Sequence, residues 1–281
     1  MAISPILENQ AKDEVHRDCE QLKKGLGIDY LPLFFSYIGA FPEYLRYLTD
    51  QLIPNVSNPK FNGLVRDTAI QINSLIKTSL NKSEEIQDWL SRYKNTPSFY
   101  NFQKDLDRIF TINLKLVFIF VALREALKGW AVAAKKIPES VADNNRSEQI
   151  KSLSQEIFMY EDYSTYSSDT RSNLEFQQQG LARTQPKMLE KDLLPRYISL
   201  CQLEFRQQMK KEEFLILRVG IEKLILSSLP LLPEKIISPI NLFYSLTDKY
   251  ADFPDLLYLM SEHFPTFAVQ KMLFSGFMKH T

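Results

Sequence analysis

The sequence predicts an all-α fold made of two tandem helical repeats packed as an intrachain pseudo-dimer. Three observations point that way. Glycine is scarce, at 8 of 281 residues, and apolar residues recur mostly three and four apart, the spacing of one helix face. One constant shift of the chain, without a gap, sets Pro195 on Pro42, Tyr197 on Tyr44, Phe214 on Phe61, Leu217 on Leu64 and Ile225 on Ile72. A polar stretch divides the chain between the two matching parts. The expected organisation is an N-terminal repeat over 1–136, a polar linker with a surface helix over 137–181, and a C-terminal repeat over 182–281. Two like units of this kind pack about a pseudo-two-fold axis, as a homodimer does.

Taken in order, residues 6–24 read as an amphipathic helix ended by Gly25 and Gly27. The aromatic stretch Leu31–Leu52 follows, with a break at Phe41-Pro42 and a helix from Pro42 to Ile53. Pro42 suits the first turn, where its missing N–H has no intrahelical partner, and Glu43 complements the positive end of the helix dipole. Pro54 is expected to stop that helix. Beyond the Asn58-Pro59 turn, Lys60 to Leu80 places Leu64, Ile72, Leu75 and Ile76 on an inner face. Ser83, followed by Glu84 and Glu85, marks a helix start leading to Trp89 and Tyr93. Ser98 is expected to cap a helix to Phe110, after which the chain passes through Asn113 into a strongly apolar helix ending near Trp130. In the second repeat the pattern predicts helices over 195–209, 212–229, 233–248, 254–263 and 265–279.

Composition excludes several function classes. Lys and Arg number 34, as do Asp and Glu, so no basic field favours nucleic acid or an anionic membrane surface. The most apolar run, 114–134, is interrupted by Lys115, Arg124, Glu125 and Lys128 and reads as a core helix, not a membrane span. The N-terminus lacks a basic region followed by an apolar core, so no signal peptide is expected. Cys19 and Cys201 stand far apart with no CxxC and no Cys/His cluster, which argues against structural zinc and dithiol redox chemistry and for a reducing, cytoplasmic setting. No Walker loop, GxGxxG, GxSxG or HExxH is present.

Two stretches carry a family resemblance. GIDYLPLFFSYIGAFPEYL, ending at Leu45, and DLDRIFTINLKLVFIFVALREAL, from Asp105 to Leu127, resemble the group I 2-haloacid dehalogenases. These are all-helical hydrolases with a fold similar to alkylhydroperoxidase D-like proteins. The resemblance covers about 10–130 fairly well and 182–281 poorly, on patterns looser than a signature. It implies an active site between two repeats, where an Asp of the second repeat activates water to displace halide from C2 of a small carboxylic acid. An Asn of the first repeat helps to hold that water, aromatic residues line the pocket, and no cofactor or metal is required.

Carried over by position, Asn113 matches the family Asn. Tyr30 stands at one aromatic pocket position and Leu33 at another, with Phe34 beside them. The water-activating Asp is where this chain departs: an ungapped count lands on Lys187, and an ammonium is no base unless burial strongly lowers its pKa. A small gap brings Glu190 to the position, with Asp192 the next nearest carboxylate. Lys187 would suit a substrate carboxylate, and His263 is the second-repeat counterpart of Asn113 once a short gap is allowed.

Each candidate has a plainer reading. Asn113 also fits a helix cap or kink, Lys187 a solvated loop, His263 a surface position, and the Tyr30–Tyr37 aromatics an ordinary core. The resemblance therefore implies a hydrolase acting on a small 2-halocarboxylic acid, with Asn113 and Glu190 catalytic and Tyr30, Leu33, Phe34, Lys187 and His263 binding substrate. Its rival is a non-catalytic helical protein or degenerate paralogue that binds a small carboxylic acid. No nucleic-acid or membrane partner is expected, and a homodimer is left open.

Overall fold

The computed structural model describes residues 3–6, 11–134, 155–166 and 190–279. Every regular element among them is helical. In chain order they are α1 (Asp13–Leu26), α2 (Leu33–Ile38), α3 (Pro42–Val56), α4 (Pro59–Ser79), α5 (Glu84–Tyr93) and α6 (Pro97–Ala134). Then come α7 (Gln155–Tyr160) with a 3-10 turn over Glu161–Tyr166, α8 (Glu190–Gln208), α9 (Glu212–Ser228), α10 (Ile240–Lys249), α11 (Phe253–Tyr258) and α12 (Phe264–Lys279).

The core is organised by α6 and α12, which pack against each other more extensively than any other pair. Their composition explains this. α12 buries every residue from Phe264 to Met278 except Thr266, and α6 is buried almost without interruption from Ile112 to Leu123. A helix apolar all round has no face to offer water and becomes the centre of the fold. The other helices wrap this pair: α4, α8 and α9 contact both, and α7 lies along α12.

Local rules account for most boundaries. Gly27, at φ 75°, ends α1 in the left-handed conformation, its N–H meeting the Lys23 and Lys24 carbonyls. Gly25 serves closeness, because a Cβ there would lie 2.8 Å from Val56 of α3. Pro42, Pro59 and Pro97 occupy the first turns of α3, α4 and α6, and the Asn58 side chain caps α4 by accepting from the Lys60 N–H at 2.9 Å.

Several expectations are revised. α6 is one continuous helix, not two segments joined at residues 111–113, since neither Pro nor Gly falls between Pro97 and Gly129. α3 continues past Pro54 to Val56. Residues 232–239 form a loop where a helix was expected. Side chains of α3 satisfy its backbone: Asn55 Oδ1 accepts from the Glu234 N–H at 3.0 Å, Asn55 Nδ2 donates to the Glu234 carbonyl at 3.1 Å, and Gln51 Oε1 accepts from the Ile237 N–H at 2.8 Å. The expected break at Pro265 is instead a π turn over Leu259–His263 that runs directly into α12.

The largest correction concerns the supposed linker with its surface helix. Its described part, 155–166, is core: Phe158, Met159 and Tyr163 are each 1% exposed. Phe158 stacks on Phe267 and meets Phe34 at 5.1 Å, while Tyr163 packs edge-on against Phe274. Its polar composition misled because Glu161 and Asp162 find buried partners that no composition reveals.

Candidate functional site

The buried polar cluster centres on Asp162, in the 3-10 turn after α7. Its side chain is 1% exposed. Burial of a carboxylate is costly unless donors surround it, and three elements supply them. Tyr30, in the turn between α1 and α2, donates its hydroxyl to Asp162 Oδ1. Asn113, inside α6, donates from Nδ2 to Oδ2 at 3.3 Å. Lys271, inside α12, lies 3.3 Å from Oδ1 and 3.2 Å from Oδ2.

Lys271 also donates to Oε1 of Glu161, whose Oε2 accepts the Leu33 N–H at 3.1 Å. Its ammonium lies 5.6 Å from the centroid of the Phe34 ring, which itself packs on Phe120, Phe158 and Phe264. The cluster is thus one cation between two carboxylates, set on an aromatic floor and joining α2, α6, the 3-10 turn and α12.

Burial and charge move the protons of these groups. Burial alone would pull the Lys271 ammonium down, but the charges of Asp162 and Glu161 outweigh it and hold it above the usual lysine range. Glu161 goes up, because burial disfavours its anion more than Lys271 favours it. Tyr30 goes up through burial and the adjacent Asp162 charge, so its hydroxyl stays a donor. One atom is left over: Asn113 Oδ1 is enclosed and has no hydrogen-bond partner. The other polar atoms of the cluster are engaged.

Models of protein families, curated proteins and solved structures offer no match to this chain.

Four of the residues singled out from the sequence converge here. Tyr30 and Asn113 touch Asp162, Phe34 lies beneath Lys271, and Leu33 contributes through its backbone N–H and not its side chain. Lys187 lies outside the described residues. Glu190 opens α8, and neighbouring Asp192 is exposed. His263 ends the π turn away from these hydrogen bonds, between Tyr258 at 5.4 Å and Phe267 at 5.9 Å. Burial lowers its pKa, and its Nε2 is enclosed without a partner.

Sequence reasoning missed Glu161, Asp162 and Lys271. Lys271 had a usable signal: in AVQKMLFSGFM a single lysine sits in a stretch apolar on every helical face. Such a residue must find an anion inside. Among the described residues no group of three or more His, Cys, Asp or Glu is placed to hold a metal ion, and no helix is long and apolar enough to cross a membrane.

Proposed function

We propose that this chain is a hydrolase of small 2-halocarboxylic acids in which Asp162, not Glu190, activates the water that Asn113 holds. The carrying observation is the Asn113–Asp162 contact with Asn113 Oδ1 left unpartnered. A water between these two side chains donates one hydrogen to Asn113 Oδ1 and the other to the Asp162 carboxylate. Asp162 takes that proton as the water oxygen attacks C2 and halide departs, leaving a 2-hydroxy acid; the proton then passes to solvent. Tyr30 and Lys271 hold the carboxylate of Asp162 in orientation. Lys271, between Asp162 and Glu161, is the cation of the cluster and faces the substrate carboxylate. The Phe34, Phe120, Phe158 and Phe264 rings form the apolar wall for the carbon chain.

The tandem-repeat reading belongs to the same proposal. It is supported by helix order, with α3, α4 and α5 followed by the long α6 and then α8, α9 and α10 followed by α11 and α12. Under the ungapped shift, the buried pairs Phe61/Phe214 and Ile72/Ile225 fall at matching places on α4 and α9. Asn113 and Lys271 then come from the two central helices, one from each repeat.

A second reading is favoured by the closure of the cluster, since the side chains of Lys271 and Asp162 are 0% and 1% exposed. In it the ion pairs serve to fasten the 155–166 segment to the core of a non-catalytic helical protein. The two readings part on one assay, halide release from 2-chloropropionate and 2-bromopropionate by wild type and Asp162→Asn. Release that disappears in the variant supports the hydrolase. No release by wild type across several 2-halo acids, or equal release by both proteins, sinks it.

A further inference from the structure

Helix α9 is apolar on two opposite faces, and the fold uses one of them. Its inward face buries Phe214, Leu217, Ile221 and Ile225. At about 100° per residue, Leu215, Ile216 and Val219 fall on the side turned away from these. They are 46%, 65% and 45% exposed. Single exposed apolar side chains are ordinary, but three on one side of one helix make a face that gains by being covered. Gly220 lies beside them, and a Cβ there would meet nothing within 4 Å, so the surface is open at that point.

The charges of α9 frame this face. Arg218 and Glu222 are engaged within the chain: Glu222 accepts from Arg124 of α6 at 3.0 Å and lies 3.9 Å from Arg218. Glu212 and Lys223 stand at the two ends of the apolar line, three turns or about 16 Å apart. Both are exposed, and among the described residues neither has an ion-pair partner.

Read from end to end the face is acidic, apolar and basic, so it is complementary to its own reverse. A two-fold axis midway between Leu217 and Arg218 sets Glu212 of each copy opposite the partner's Lys223. It gathers Ile216 and Val219 with their own copies at the centre and places Leu215 beside the partner's Val219. Ile216 lies over the partner's Gly220, whose missing side chain lets the two helices approach. We propose that α9 is a homodimerisation helix, pairing antiparallel with α9 of a second copy through this face. A lipid surface or an apolar groove would leave Glu212 and Lys223 unpaired as it covered the residues between them, whereas a second copy pairs both. The two ion pairs fix the register more than they add affinity. One helix pair is smaller than the roughly 1,200 Å² of a standard interface, so the dimer exchanges readily with monomer.

The test is sedimentation equilibrium of the full chain from about 1 to about 200 µM, where a dimer with a dissociation constant on the order of 10 µM is expected. Ile216→Asp should weaken association at least tenfold. Glu212→Lys and Lys223→Glu each set like charges opposite one another twice, and each alone should weaken it about tenfold. Mixed in equal amounts, these two variants should associate to within about threefold of wild type, because every facing pair is then opposite in sign. All three positions are exposed, so the fold should be retained, as far-UV circular dichroism checks. A wild-type chain that stays monomeric throughout, a dimer that Ile216→Asp leaves intact, or a mixture no tighter than its separate components overturns the proposal. Halide release plays no part in these measurements.

Discussion

Asn113 Nδ2 donates to Asp162 Oδ2 at 3.3 Å, tying the middle of the core helix α6 to the 3-10 turn after α7. On the proposed hydrolase reading, Asp162→Asn keeps the shape but removes both the proposed base and one charge facing Lys271. General-base catalysis contributes about 100- to 10,000-fold, so halide release should fall by at least about 100-fold in this variant. Asn113→Ala removes the water's acceptor and one hydrogen bond to a buried carboxylate. It should lower release and cost about 1.5–3 kcal/mol in chemical denaturation. An Asn113→Ala protein that loses stability but keeps full activity would leave the contact with a structural role alone.

Lys271→Met should be among the most damaging single changes in the protein. It leaves two buried carboxylates facing each other without a cation, and breaking a buried pair in this way costs about 3–5 kcal/mol. Glu161→Gln in the same chain removes one of the stranded charges and should restore part of the loss. A double-mutant cycle in urea should therefore give a coupling of about 1–3 kcal/mol between positions 161 and 271. Additive losses would mean that the two side chains do not share one network.

How much of this was legible in the sequence differs between scaffold and site. The helices opening at Pro42, Glu84 and Glu212 were readable because their start signals are local. So was the weight of α6, because a run apolar on nearly all faces has only one place to go, whereas the equal weight of α12 was not read. Asn113 and Tyr30 were singled out by position in the family resemblance, and Phe34 by its place in the aromatic stretch beside Tyr30. Asp162 was not, because EDYSTY reads as solvent-facing until Lys271, 109 residues further along, is known to meet it. Ion pairing at that sequence distance leaves no periodic trace. The loop over 232–239 escaped for a similar reason: its backbone partners Gln51 and Asn55 lie on α3.

Lys82, between α4 and α5, has its Nζ enclosed without a hydrogen-bond partner and makes a pH prediction. Burial lowers its pKa to about 8 in the folded protein, from the 10.5 of a free lysine. Between those values the unfolded chain binds a proton that the folded chain does not. Stability should therefore rise with pH from about 8 to 10.5, and below 8 the full cost of charging the amine is present. That cost is on the order of 1–3 kcal/mol. Lys82→Met should stabilise the protein at pH 7 by a similar amount and flatten the rise in this window, as read from urea midpoints at pH 7, 8, 9 and 10. A rise that persists unchanged in Lys82→Met would assign it to other groups.

Gly276 records how closely α12 approaches its neighbours. A Cβ there would lie 2.5 Å from Ile76 Cδ1 of α4 and 3.1 Å from Phe110 Cε2 of α6. Replacing glycine by alanine in a helix interior ordinarily gains up to about 1 kcal/mol. Here the methyl has no space: the Ile76 tip can rotate, but the Phe110 ring is 1% exposed and held by core on all sides. Overpacking of this kind costs about 1–3 kcal/mol, so Gly276→Ala should be a net loss. Ile76→Val deletes the closer of the two clashing atoms and by itself costs about 0.5–1.5 kcal/mol as a core truncation. In the Gly276→Ala background the same truncation should cost less than it does alone, or nothing. Equal costs of Ile76→Val in both backgrounds would show that the strain falls on Phe110, and Phe110→Leu is the variant in which it should then be relieved.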